Sequence, residues 1–518
     1  MIPFATPVDD ILFCMRDVAD ARSLPEWDDD LARDILEAFG SFAEGVIAPL
    51  DEIGDRQGAR LEDGSVRMPD GFVAAYAQLA EMGWQGLTAP EEHGGMAQNP
   101  LIAAMVSEVF SGANHAMQMV CNLVPGAIST LRHFGTPDQQ KRWIPRLASG
   151  EALSTMCLTE PGAGSDLSRA RTRAIREGGN WRVDGEKIFI SGGDQDMSQD
   201  ILHLILARTG APEDGIKGLS LFLAGKRDAG TTIRVTRIEE KLGLHASPTC
   251  QVVFDSAPAE LVGEEGAGLK AMFTLMNHAR FDVSLQGVAH ASRAHAIASS
   301  YAADRKQGRK SDGSEAVLAD HADVKRMLNE QRALALGARA MVYVSLTEMM
   351  RQSATHLTDF LTPLCKVFCT EAGLRSADLG IQILGGYGYL NEYRVSQTWR
   401  DARITAIYEG ANGIHAVATA TRGLRVGEGA GADSFAALIA RLADHETVSA
   451  LLGRWHDARQ KLMDAPDPTV FAHDFMQLSC AVYYRALWVR IAEIGNTLEL
   501  AQLRDAVLAS PIPVSDAL

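Results

Sequence analysis

The chain has 518 residues, 46% hydrophobic and 22% charged, too long for one ordinary core, so several domains are expected. Its 49 Lys and Arg stand against 66 Asp and Glu, a formal net charge of −17. A surface this acidic repels phosphate backbones and anionic lipid, which argues against a nucleic-acid partner.

The start, MIPFATPVDDILFCMRDV, has no basic n-region, and Asp9 and Asp10 interrupt its apolar run, so it does not read as a signal peptide. No uncharged apolar run approaches the roughly 18 residues that span a bilayer, and no integral membrane segment is expected. Residues 1–155 read as helical. LARDILEAFGSFAEGVIAPL repeats apolar residues at three- and four-residue spacing, and GFVAAYAQLAEMGW and LIAAMVSEVFSGANHAMQMVCNLVPGAISTLRHFG behave similarly. Thr136 followed by Pro137 marks a helix start.

From residue 156 to 266 the apolar runs are short, β-branched and separated by turn signals. NWRVDGEKIFISGG predicts a strand, an Asp184-Gly185 turn and a second strand. ILHLILAR, GLSLFLAG, TTIRVTRI and CQVVFD continue the series, predicting a small, mostly antiparallel β domain between two helical regions. Residues 267–425 return to long helices that fit a bundle. RGLRVGEGAGADSF reads as a linker, and residues 434–518 add a helical tail. The expected fold class is α+β, mainly α, in four parts: 1–155, 156–266, 267–425 and 434–518.

Seven scattered cysteines fit free thiols in a reducing compartment, and the protein is expected in the cytoplasm. Cys365 and Cys369 lie one helical turn apart without a CxxC or HxxxH partner, so helix packing is the reading and no metal is expected. Neither GxGxxG after a strand nor GxxxxGK[ST] is present; GEEGAGLK comes nearest to the second, with Leu269 where Lys should stand. HExxH and GxSxG are missing too.

Two segments stand out. Cys157-Leu-Thr-Glu-Pro-Gly-Ala-Gly-Ser-Asp166 offers approachable backbone amides and two hydroxyls, suited to a flat polar ring edge or a phosphate, or simply to a turn. Gln382-Ile-Leu-Gly-Gly-Tyr-Gly-Tyr389 is followed by Asn391-Glu392, Arg400-Asp-Ala-Arg-Ile404 and Ile407-Tyr-Glu-Gly410. Its glycines would each cost about 1 kcal/mol inside a helix. They mark either a helix-breaking loop or a place where backbone approaches a ligand.

In this order, and across a helix–β–helix chain, the two segments together resemble the signatures of the acyl-CoA dehydrogenase family of flavoproteins, over residues of about 35 to about 420. Within it the likeness is to a longer branch with an added C-terminal helical domain, which includes the 3-methylmercaptopropionyl-CoA dehydrogenases. GARLEDGSV, LGLHASPTCQVVFD and AMFTLMNHAR are among the segments similar to that branch.

The resemblance implies FAD as cofactor and α,β-dehydrogenation of an acyl-CoA to a trans-2-enoyl-CoA, with electrons passing to an electron-transfer flavoprotein. It suggests a short acyl chain, possible heteroatoms included, within fatty acid or organosulfur metabolism. It implies Glu409 as the base that abstracts the α proton. Leu158, Thr159, Gly164 and Ser165 would lie over the isoalloxazine ring, with Phe189 and Ser191 as a second contact. Gln382, Gly385, Gly386, Arg305 and Gln307 would reach the flavin of a neighbouring subunit, making the protein a homo-oligomer, at least a dimer. For the acyl-CoA, Ser165 and Arg280 match positions near the pantetheine and the CoA nucleotide, and Asn277 occupies a substrate-side position where many relatives carry Asp.

The sequence also departs from the family. Arg169 ends the first signature where a small residue is usual, Gln397 replaces a basic residue, and Ala411 and Gly413 replace polar ones after the base. Two other chemistries share the fold: flavin enzymes acting as desulfinases or oxygenases, which often lack the base, and an adaptive-response DNA-protective flavoprotein, which needs a basic C-terminal face. Glu409 argues against the first and the net charge against the second.

Overall fold

The amphipathic periods become helices and the β-branched runs become strands in a computed structural model, which describes residues 2–351 and 355–514 apart from the side chains at 277, 278 and 355. In chain order, α1 (Val8–Leu12), α2 (Asp29–Phe42) and α3 (Pro49–Gln57) precede a hairpin of β1 (Arg60–Glu62) and β2 (Ser65–Arg67). Then come α4 (Phe72–Glu81), α5 (Pro100–Cys121), α6 (Leu123–Phe134) and α7 (Pro137–Ala148). Thr136 caps α7 in a capping box: its hydroxyl accepts the Gln139 N–H, and the Gln139 side chain accepts the Thr136 N–H. The β1–β2 hairpin falls in a region predicted to be wholly helical. Asp63 (φ 50°) and Gly64 (φ 77°) form the turn that the local helical reading missed.

The strands that follow are β3 (Ala152–Cys157), β4 (Arg173–Glu177), β5 (Asn180–Ser191), β6 (Asp200–Arg208) and β7 (Leu219–Gly225), then, after α8 (Lys226–Ala229), β8 (Ile233–Ile238) and β9 (Thr249–Val262). They form one seven-stranded sheet, whose pairings β6–β4–β5–β9–β7–β6 return to their start and close a barrel. The pairs β3–β6 and β4–β6 are parallel and the rest antiparallel. Val183, Ile205, Phe222, Val252 and Phe254 fill the interior.

The predicted Asp184-Gly185 turn is a correction: β5 is one continuous strand of twelve residues. Its register with β9 shifts between Val183 and Gly185, so the Asp-Gly pair makes a bulge rather than a reversal. Asp184 Oδ1 accepts the Ser256 N–H at 2.7 Å, and pairing along β9 outweighs the local turn preference.

The remaining elements are α9 (Gly268–Asp304), the hairpin of β10 (Lys306–Arg309) and β11 (Glu315–Val317), α10 (Ala322–Met350), α11 (Thr355–Leu384), α12 (Val395–Ala402), α13 (Asn412–Ala418), α14 (Ala430–Leu442), α15 (Glu446–Asp464), α16 (Ala472–Gly495) and α17 (Leu498–Ala509). The predicted linker is partly helix: α14 begins at Ala430, after the left-handed residues Gly427, Glu428 and Gly429. Packing supplies the reason, because Gly431 lets α14 approach the His356 carbonyl, which a Cβ would meet at 2.6 Å.

By their contacts the described residues fall into two compact units, 42–99 with 113–279, and 2–41 with 100–112 and 280–514. The first holds the barrel. In the second, α9 and α11 cross where Gly287 and Gly373 meet; a Cβ on Gly287 would sit 2.3 Å from the Cys369 carbonyl oxygen. Cys365 and Cys369 are fully buried, their thiols directed at the carbonyls of Met341 and Ala338 on α10. Arg339 of α10 is fully buried on Glu108, at 2.7 Å, and Tyr343 donates to the same carboxylate at 2.6 Å. Burial alone would depress the Arg339 pKa, but the carboxylates of Glu108 and Asp10 outweigh it and keep the guanidinium charged.

Candidate active site

In the barrel unit, the Cys157–Asp166 loop leaves the end of β3 and is fixed by a buried ion pair. Lys187, fully buried on β5, donates to Glu160 Oε1 at 2.8 Å and to the Leu158 carbonyl at 2.9 Å. Glu160 also accepts the N–H groups of Arg171 (2.6 Å) and Thr172 (3.0 Å). Burial alone would raise its pKa; the Lys187 ammonium and these donors outweigh burial and hold the carboxyl below its usual range. A bridge between Glu160 and Ala163 closes the loop.

The Ile188 N–H donates to the Thr159 carbonyl at 2.8 Å, so the loop and the KIFIS segment are neighbours. A register shift between Lys187 and Ile190 turns Phe189 outward, with φ 58° and 60% of its surface exposed. Leu158, Thr159, Gly164, Ser165, Phe189 and Ser191 are thus gathered on one unit. Space beside Gly162 and Gly164 is open: a Cβ on Gly162 would meet nothing within 4 Å. An exposed aromatic in left-handed backbone beside an open glycine loop fits the flat ring of a flavin.

In the other unit, Gln382, Gly385 and Gly386 are exposed at the end of α11 and in the turn after it, and Gly385 has φ 61°. Arg305, exposed before β10, lies 5.5 Å over the ring of Tyr387 from that turn. The structure therefore brings Arg305 and the glycine turn together, while Gln307 is exposed on β10 with its carbonyl 2.8 Å from His321 Nε2. An exposed guanidinium beside open glycine backbone fits a dinucleotide's phosphates.

Glu409 lies in the same unit, on a turn between Tyr408 and α13, and adopts left-handed backbone with φ 53°; Gly410 follows with φ 92°. Part of its surface is open to solvent, yet its carboxyl is deeply surrounded by protein. That burial pushes its pKa up to about 7, against the lowering pull of Arg280 and Lys366 and with a further push from Asp282. His415 Nε2 lies 3.1 Å from the Glu409 carbonyl, which can only accept, so this nitrogen carries the proton. Burial, helped by Arg280 and Lys366, drops the His415 pKa to about 4 and keeps the ring neutral. Tyr408 donates to Gln286, which donates to Asp282 at 2.9 Å.

Arg280 is placed beside Glu409 electrostatically, whereas the side chain of Asn277 lies outside the described residues. Ser165 belongs to the barrel unit. Sequence reasoning missed Lys187, Glu160, Lys366 and His415. A signal existed for Lys366: one charged residue in the apolar run LCKVFC announces a buried, partnered cation. Among the described residues no group of three or more His, Cys, Asp or Glu gathers as a metal would need, and no helix is long and apolar enough to cross a membrane.

Comparison with known proteins gives three family matches in order: "Acyl-CoA dehydrogenase, N-terminal domain" over residues 29–151, the middle domain over 155–257 and the C-terminal domain over 266–424. A 3-methylmercaptopropionyl-CoA dehydrogenase of Ruegeria pomeroyi is 42% identical over 440 residues, covering 80% of this chain and 75% of the relative. The structure of butyryl-CoA dehydrogenase from Megasphaera elsdenii is 26% identical with a TM-score of 0.68, over 76% of this chain and 98% of that one. Caenorhabditis elegans ACDH-11 in complex with C11-CoA, 19% identical, shares the fold with a TM-score of 0.83 over 99% of this chain and 92% of its own, the tail included.

Proposed function

Because the chain belongs to the acyl-CoA dehydrogenase family, we propose that Glu409 is its catalytic base and that it acts on a short acyl-CoA, with 3-methylthiopropionyl-CoA as the first candidate. It is an FAD-dependent oxidoreductase that forms a 2,3-double bond in an acyl-CoA thioester. The 42% identity to a dehydrogenase named for the methylmercapto substrate supports the choice of chain.

The setting of Glu409 carries the reading of the base. An ordinary carboxylate is too weak to take a proton from carbon efficiently, but burial brings this one to about 7, near the optimum for a general base at neutral pH. Its carboxylate takes the α proton while the β hydrogen departs with its electron pair. FAD, when bound, supplies the acceptor for that hydride. Arg280 keeps a positive charge beside the base, so part of the population stays ionised. The protein surround thins the hydration of the carboxylate, which is what raises its pKa.

Leu158, Thr159, Gly164, Ser165, Phe189 and Ser191 would hold the ring, and Arg305, Gln307, Gln382, Gly385 and Gly386 the dinucleotide of a second copy. Gln382 stands 16 residues beyond Lys366 on α11, roughly 24 Å along the axis, which supports its serving another subunit's flavin. Arg280 and Ser165, with Asn277, would contact the acyl-CoA. The working assembly is a homo-oligomer, at least a dimer, which passes electrons to an electron-transfer flavoprotein in the cytoplasm. The free, buried cysteines fit that compartment. The four-part division at 155, 266 and 425 is retained as its functional layout.

An anaerobic titration of the FAD-loaded protein with thioesters from propionyl- to palmitoyl-CoA, 3-methylthiopropionyl-CoA included, tests the reading. Flavin bleaching by short chains, abolished in Glu409→Gln, is expected. A yellow protein that no thioester bleaches would move desulfinase or oxygenase chemistry ahead.

A further inference from the structure

Glu409 and Gly410 occupy left-handed backbone one after the other, a conformation that persists only where its surroundings impose it. Each carbonyl of this pair has a buried donor. His415 holds that of Glu409, and Lys366 Nζ donates to that of Gly410 at 2.8 Å. Lys366 is itself 0% exposed, in the middle of α11. Its second bond, 2.9 Å to Asn412 Oδ1, reaches the first residue of α13, so one ammonium clamps both sides of the bend.

The clamp extends into the tail. The Asn412 amide donates to Thr370 Oγ1 and to Glu371 Oε1, each at 3.2 Å. The other Glu371 oxygen accepts from Gln477 of α16 at 3.1 Å. The chain Gln477–Glu371–Asn412–Lys366–Gly410 thus connects the helical extension to the peptide beside Glu409.

We propose that Lys366 is a positioning residue for the reaction: it sets the turn that presents Glu409, and the C-terminal extension braces it through Gln477. The proposal rests on Glu409 being the base. A buried ammonium is costly, and burial lowers its pKa to about 7 despite the raising influence of Glu409 and Glu371. A merely structural helix position would be filled more cheaply by an apolar side chain. The charged groups facing Glu409 are Arg280 and Asp282 at α9 and Lys366 on α11, with Glu371 facing Lys366 in turn, while His415 on α13 stays neutral. Removing the Lys366 charge leaves Arg280 alone against Asp282, so the base binds its proton more tightly.

The test is anaerobic flavin reduction across pH, on the FAD-loaded full chain, for wild type, Glu409→Gln, Lys366→Met, Lys366→Arg and Gln477→Leu. Lys366→Met is expected to keep thioester affinity within about threefold while its limiting rate falls about 10- to 100-fold. The pH of half-maximal rate should move up by about one unit. Lys366→Arg should recover most of the rate, and Gln477→Leu should lose about two- to fivefold with the same direction of pH shift. If Lys366→Met does not fold, Asn412→Ala carries the test, with an expected loss of about three- to tenfold in limiting rate and a pH midpoint moved upward. Unchanged rate and pH midpoint in the variant that folds would overturn the proposal while leaving the reading of Glu409 intact. A wild type that no thioester reduces would sink both.

Discussion

Lys187 Nζ lies 2.8 Å from Glu160 Oε1, with Lys187 fully buried and Glu160 nearly so, and this one pair ties β5 to the loop that leaves β3. The pairing explains why two segments almost thirty residues apart in sequence form one surface. The ammonium satisfies the carboxylate and the Leu158 carbonyl together.

Removing one member leaves the other charge buried and alone. Lys187→Met is therefore expected to cost about 3–5 kcal/mol of stability and to purify with little flavin. Denaturant unfolding and the ratio of flavin to protein absorbance check both. The double variant Lys187→Met/Glu160→Gln should recover much of the stability, because the orphaned charge is gone.

Glu409 should govern activity and oppose stability. With the carboxyl at about 7, flavin reduction is expected to rise with pH through that value as the base ionises. The sign for folding is opposite. An acid whose pKa is raised on folding binds its proton more tightly in the native state, so stability is lost as pH rises from the unfolded value near 4.5 through about 7. Glu409→Gln removes that penalty. It should be inactive yet more stable than wild type at pH above 7, by about 1–2 kcal/mol after discounting for partial solvent access. Equal stability across pH in thermal unfolding would argue against a buried carboxylate.

The tail should be inseparable from the bundle. Gly337 of α10 faces Tyr484 of α16, and a Cβ there would lie 2.3 Å from Tyr484 Cε2, with the Trp488 ring nitrogen at 2.7 Å. Trp488 donates to the Ala333 carbonyl at 3.2 Å, and both rings are buried. Gly337→Val is expected to destabilise by about 1–3 kcal/mol through overpacking. Faster hydrogen exchange along α16 would locate the loss.

Much was legible without coordinates. The three- and four-residue periods placed the long helices, the β-branched runs placed β6, β7 and β8, and Thr136 marked the start of α7. Local chemistry suffices there because each signal acts within a few residues. It failed where a distant partner outweighed it. The Asp184-Gly185 pair predicts a hairpin turn, but β9 holds β5 as one strand with a bulge there. The Gly-rich stretch from Arg422 predicts a linker, but burial against α11 winds its end into α14.

The candidate site divides the same way. Its signatures, CLTEPGAGSD, QILGGYGY and IYEG, are contiguous, so sequence by itself determined the family and the residue types available for chemistry. Only tertiary structure decided which groups set their properties. Lys187 stands 27 residues from Glu160, and Lys366 stands 44 from Gly410. No motif spacing encodes those meetings, nor the burial that brings the Glu409 carboxyl up to about 7 against the pull of Arg280 and Lys366.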